Sequence, residues 1–174
     1  MMRSSERKVL FVPGCLYCPI FQAGPIEKHI QWVHELRSHI YAAGFDIVQM
    51  PCPETLFKHP MCGLLRAPHG LQFYQNLEGF PEFCHILGTQ VALQICSMHN
   101  AGHPITAILG VEHSPTCCVN YIYTNKGMIK HQGIFMSQIT SYLTEKQICI
   151  PVVGINRRYP GKAIQEIIRL AGAS

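Results

Sequence analysis

Apolar residues in this chain form short continuous runs. Between them lie longer stretches in which apolar positions recur at helical spacing. The run Lys8–Pro13 (KVLFVP) is apolar and β-branched and is stopped by Pro13-Gly14, so it predicts a first strand. Gly24-Pro25 opens a helix, with Ile26, Ile30, Val33, Arg37, Ile40 and Ala43 at helical spacing and Gly44 as its stop. Asp46–Met50 predicts a second strand, ended by Pro51-Cys52-Pro53. Glu54–Gly79 is loosely patterned, with a short helix near Leu71–Leu77. Pro81 to Ala101 predicts a helix with Leu87, Val91, Ile95 and Met98 on one face, and Pro104–Val111 a third strand.

After a loop at Glu112–Thr116, Cys118–Tyr123 and Met128–Lys130 flank the turn Thr124-Asn125-Lys126-Gly127 and predict a hairpin. Gly133–Glu145 predicts a helix and Ile148–Val153 a fourth strand. Pro160–Ala171 is expected to be the last helix, with Ile164, Ile167, Ile168 and Ala171 inward. Alternating strands and helices with almost wholly apolar strands predict an α/β fold. The expectation is a single domain over residues 1–174: a doubly wound, Rossmann-like, mainly parallel sheet of about four strands, with a small hairpin after the third.

Composition narrows the class. Of 174 residues, 48% are hydrophobic and 14% charged, the opposite of a disordered chain. No apolar run reaches the roughly 20 residues of a membrane span, and the apolar stretch near the N-terminus is too short for a signal peptide. A cytoplasmic protein without a membrane partner is therefore expected. A net charge of +4 is compatible with a modestly anionic ligand and carries no strong nucleic-acid signature. Ten histidines occur without an HExxH arrangement, which argues against a zinc hydrolase.

Nine cysteines are the unusual feature. An odd count in a long, core-rich chain argues against an extracellular disulfide scaffold. Cys15, Cys52 and Cys117 each lie just past the carboxyl end of a predicted strand, the edge where open parallel sheets bind ligands. A strand order of 2-1-3 would bring these thiols to one site. Cys84, Cys96 and Cys149 fall within predicted elements and read as packing residues. Cys62 is ambiguous, and Cys18 and Cys118 read as bystanders beside possible ligands. Three converging thiolates are soft donors, suited to zinc, copper(I) or an iron–sulfur cluster. A structural zinc site commonly pairs two CxxC motifs, whereas this chain has only Cys15–Cys18. Three ligands on a cubane cluster would leave one iron open to sulfur.

Three anchors, Gly14-Cys15, Cys52-Pro53-Glu54 and Ser114-Pro115-Thr116-Cys117, give the chain a resemblance to a known family. With Gly24-Pro25, Ala92-Leu93 and Tyr121–Gly127 around them, it resembles the TudS-like (DUF523) desulfidases over roughly Val9 to Ile155. It departs from the family pattern in having Cys118 after the third cysteine and Glu54-Thr55-Leu56-Phe57-Lys58 in place of a Gly-Gly-Leu stretch. It thus looks like a divergent branch. The resemblance implies a 4Fe–4S cluster held by Cys15, Cys52 and Cys117, an acid–base glutamate at Glu54 and an active-site serine at Ser114. The implied partner is a small thiolated molecule, from which sulfur would leave as sulfide.

Other readings stay open. The plainer alternatives are a helix-start or loop carboxylate on the surface for Glu54 and a turn residue before Pro115 for Ser114. His113, Asn156 and Arg157 are candidate substrate contacts near the same sheet edge. Tyr121 and Tyr123 fit an ordinary strand, although either could stack on a planar base. A thiol–disulfide oxidoreductase would use Cys15 and Cys18; against it, the clearest helix start is Gly24-Pro25, well past the pair. A non-catalytic metal- or cluster-binding module would use the same ligands without Glu54 or Ser114.

Overall fold

The structure is a computed structural model that describes residues 8–21, 27–57, 69–124 and 126–172. Gly24-Pro25, Ile26, Cys62 and Asn125 lie outside the described residues. Strand β1 (Lys8–Pro13) runs directly into a single helical turn, α1 (Gly14–Tyr17), followed by a 3-10 turn at Pro19–Phe21. Then come α2 (Glu27–Ala42), β2 (Phe45–Met50) and the one-turn helix α3 (Pro53–Leu56). Helices α4 (Leu71–Asn76) and α5 (Phe80–Asn100) precede β3 (Ile105–Val111). The hairpin β4 (Tyr121–Thr124) and β5 (Gly127–Lys130), helix α6 (Ile134–Glu145), strand β6 (Val152–Ile155) and helix α7 (Pro160–Gly172) complete the chain.

The main sheet has four parallel strands in the order β2-β1-β3-β6, and β4 and β5 form a separate antiparallel pair. This is the expected Rossmann-like α/β architecture. The central strands are the most apolar because both faces are covered: Leu10, Phe11, Val12, Ala107, Ile108 and Leu109 are fully buried. Right-handed crossovers that leave β1 in one direction and reach β3 and β6 in the other place helices on opposite faces. Accordingly α2 packs with α7, and α5 with α6. The only tryptophan, Trp32, is buried on α2. Lys8 Nζ donates to the carbonyl of Ala171 at 3.0 Å, tying β1 to the last helix. Among the described residues, no helix is long and apolar enough to cross a membrane.

Several expectations need correction. The fourth strand begins at Val152 rather than Ile148, because Gln147 adopts a positive φ of 58° at the end of α6 and Ile148 N–H bonds back to Leu143. The apolar run Ile148–Ile150 is therefore a connector, and Cys149 is exposed rather than packed. On α7, Ile168 is 56% exposed while Ala163, Ile167 and Leu170 are buried. That stripe follows the i, i+4, i+7 spacing, and Ile168 sits about 100° away from Ile167 around the helix. Ile30 on α2 is likewise exposed.

Candidate functional site

The strand order 2-1-3 is the feature that makes the site. The chain leaves β1 toward β2 on one side and returns to β3 on the other, opening a crevice above the carboxyl ends of β1 and β3. Cys15 sits in the turn after β1, Cys52 caps α3 after β2, and Cys117 lies in the loop after β3. All three line one cavity of about 100 Å³, together with Glu54, Ser114 and Thr116. His69, His113 and Arg157 complete its wall, so the cavity gathers most of the candidate residues. Among the described residues, no three His, Cys, Asp or Glu side chains are clustered as a metal-ion cage requires. The thiols surround a shared space without closing on one point.

Burial, and after it the neighbouring Cys52, push the Cys15 thiol up to about 12, with Arg157 opposing. Cys117 is raised well above the ordinary thiol value by burial and then by Cys15 and Cys52; Cys52 is raised by burial and then by Glu54. Each thiol thus feels the charge of another member of the site. A helical turn does begin at Gly14, contrary to the sequence expectation, but a raised Cys15 is the reverse of what an attacking redox thiol needs. Cys18 is absent from the cavity lining. Cys118 is buried elsewhere: its Sγ–H lies 2.9 Å from the carbonyl of Tyr121 and 3.3 Å from Glu112 Oε2. It is a packing residue.

Glu54 stands in the first turn of α3, yet it is not a surface carboxylate. Thr116 Oγ1 donates to its Oε1 at 2.8 Å and the Tyr74 hydroxyl to its Oε2 at 3.2 Å. Burial raises this carboxyl above its ordinary value, against the lowering effects of those hydrogen bonds and of Arg157 and His69. Thr116 has one hydroxyl proton and gives it to Glu54, so in the 3.2 Å contact with Ser114 Oγ the serine is the donor. The Ser114 oxygen also accepts the backbone N–H groups of Cys117 (3.1 Å) and Thr116 (3.3 Å). Its proton and lone pairs are therefore spent inside the Ser-Pro-Thr-Cys turn. Ser114 shapes the loop that carries Cys117 and heads a short hydrogen-bonded series through Thr116 to Glu54.

Two glycines let that loop sit where it does. A Cβ on Gly133 would lie 2.3 Å from the Thr116 carbonyl, and one on Gly110 would lie 2.5 Å from the Cys117 carbonyl oxygen. Neither position admits a side chain without moving the loop. Thr116, Tyr74 and His69 were not legible in the sequence. Buried hydroxyls and rings on a loop or a short helix give no pattern, although Thr116 stands inside the anchor itself.

A second cavity of about 260 Å³ adjoins the first and shares His69, His113 and Arg157 with it. Asn156, Arg158 and Tyr123 line its far side. The Tyr123 ring lies against the His113 ring, with centroids 4.6 Å apart, and the Arg158 guanidinium lies 5.3 Å from the Tyr123 ring centre. Asn156, Arg157 and His113 therefore meet as expected at the sheet edge. Tyr121 is an exposed hairpin residue outside both cavities.

No protein-family model, curated protein or solved structure matches this chain. The fold and site define an α/β protein of Rossmann-like topology with a thiol-lined cavity at its topological switch point.

Proposed function

We propose that this protein is an iron–sulfur-dependent desulfidase that releases sulfide from a thiocarbonyl compound such as a thiolated nucleobase. The observation that carries the reading is the shared cavity, where thiols from three strand exits face a half-buried carboxylate held by Thr116 and Tyr74. The donor set fits a sulfur-ligated cluster. Cys15, Cys52 and Cys117 are soft, come from separate elements and surround a space, while both Glu54 oxygens are occupied by hydroxyls. In this reading the three cysteines hold a 4Fe–4S cluster. When bound, it supplies a Lewis-acid iron with affinity for sulfur.

The protein residues carry the proton chemistry. Glu54 takes a proton from the attacking water at a carboxylate oxygen. Thr116 and Tyr74 fix that carboxylate, and the hydrogen bonds running from Ser114 through Thr116 to Glu54 favour its charged, proton-accepting form. The balance is C=S plus water to C=O plus hydrogen sulfide, with no net electron transfer.

Anaerobic purification, a visible spectrum and iron and sulfide counts test the cofactor. Sulfide release from 2-thiouracil tests the activity. Cys15→Ala, Cys52→Ala and Cys117→Ala are each expected to lose the brown absorbance. Glu54→Gln is expected to keep it and lose turnover; full activity in that variant removes Glu54 from the mechanism. A chain that carries the cluster but releases no sulfide is a binding module.

A further inference from the structure

His113 lies on the wall common to the two cavities, at the first bend after β3. Its backbone is left-handed, with φ of +68°, a conformation that a histidine adopts at a cost. Its Nδ1 is buried and has no hydrogen-bond partner among the described residues. Buried polar atoms are almost always paired, so the unpartnered Nδ1 on this wall marks His113 as a candidate ligand contact.

The surroundings also fix what kind of atom it wants. The Arg158 backbone N–H donates to Asn156 Oδ1 at 3.0 Å, which orients the asparagine amide. The amide nitrogen, which can only donate, then faces His113 Nε2 at 3.4 Å. Nε2 must accept, and in the neutral ring the proton is left on Nδ1. The Tyr123 ring against His113 limits rotation of the imidazole.

We propose that His113 is a specificity-determining residue: it presents a preset Nδ1–H donor to a carbonyl acceptor of the ligand bound across the two cavities. Asn156 is the positioning residue that sets the tautomer. The choice of a carbonyl-bearing ring as ligand rests on the desulfidase reading; the tautomer assignment does not. A site built around a fixed donor rejects the analogue that lacks its acceptor, because the donor is then left buried and unpaired.

The test uses the full chain before cluster reconstitution, with uracil as the probe. Nitrogen-15 NMR of the histidine rings is expected to show the His113 proton on Nδ1 and none on Nε2. Calorimetry is expected to give saturable uracil binding. Asn156→Asp places an acceptor opposite Nε2, and is expected to move the proton there and weaken uracil binding about tenfold. His113→Phe should lose as much, and His113→Gln, which retains an amide donor, should recover part of it. A wild-type ring protonated on Nε2 overturns the proposal. So does an inverted tautomer in Asn156→Asp with unchanged uracil affinity, or the absence of saturable uracil binding. If this pattern holds while the reconstituted chain releases no sulfide from 2-thiouracil, the desulfidase reading falls and the donor assignment stands. Sulfide release with the wrong tautomer overturns the donor assignment alone.

Discussion

Thr116 and Glu54 stand 62 residues apart in sequence, yet their 2.8 Å contact makes one unit of them. Replacing Thr116 by valine keeps the shape but strands a buried carboxylate oxygen and the Ser114 proton. The expected cost is about 1–3 kcal/mol in denaturant unfolding, with Thr116→Ser close to wild type. Glu54 itself works against the fold. A carboxyl raised in the folded state binds its proton more tightly there than in the unfolded chain. Its contribution is therefore fully present below the ordinary carboxylate value of about 4.3 and is lost as pH rises through the folded value. Glu54→Gln is expected to melt higher than wild type at neutral pH in the absence of cluster, and the gap should close on acidification below about pH 4. Cys15 and Cys52 were legible because each follows a strand exit, and Glu54 because it stands in the Cys-Pro-Glu anchor that carries the resemblance. Tyr74 and His69 were not, because their importance comes entirely from what they pack against. The serine was visible, but only the hydrogen-bond pattern reveals that its oxygen is consumed by the turn.

At the scale of elements, the Ser114–Cys117 loop rests on β3 and on the start of α6 through two glycines. Gly133→Ala forces a methyl against the Thr116 carbonyl, where the neighbour is backbone rather than a flexible side chain. Overpacking of this kind is expected to cost about 1–3 kcal/mol, with a parallel loss of the proposed cluster as Cys117 shifts. By contrast Cys18→Ser, beyond the end of α1 and outside the cavity, is expected to retain cluster loading measured by absorbance. Strands β1 and β3 could be read directly from sequence because burial on both faces makes them continuously apolar. β6 could not: Ile148–Ile150 is just as apolar, but it leads out of a left-handed helix stop rather than joining the ladder. One-turn helices such as α1 and α3 have no period to detect, which is why the helical turn at Cys15 was missed.

For the whole molecule, the three cavity thiols come from positions 15, 52 and 117, spread over most of the chain, so the pocket exists only when the sheet is assembled. Under the proposed function, cofactor loading and folding are therefore linked. At a hundredfold excess over its dissociation constant, a bound cofactor adds about 2.7 kcal/mol, or roughly 5–10 °C in a protein of this size. Reconstituted and stripped samples should differ by that amount in Tm, and the three cysteine variants should show no such gap. The topology was foreseeable because 2-1-3 is the order that lets right-handed crossovers cover both faces of so small a sheet. The chain also carries a convenient optical arrangement. Its lone indole, Trp32, is buried on α2, the helix layer that packs with α7, and it lines neither cavity. Its fluorescence emission should shift toward the red when that layer comes apart. Unfolding can thus be followed in the ultraviolet while the contents of the thiol cavity are watched in the visible, two independent windows on a single sample.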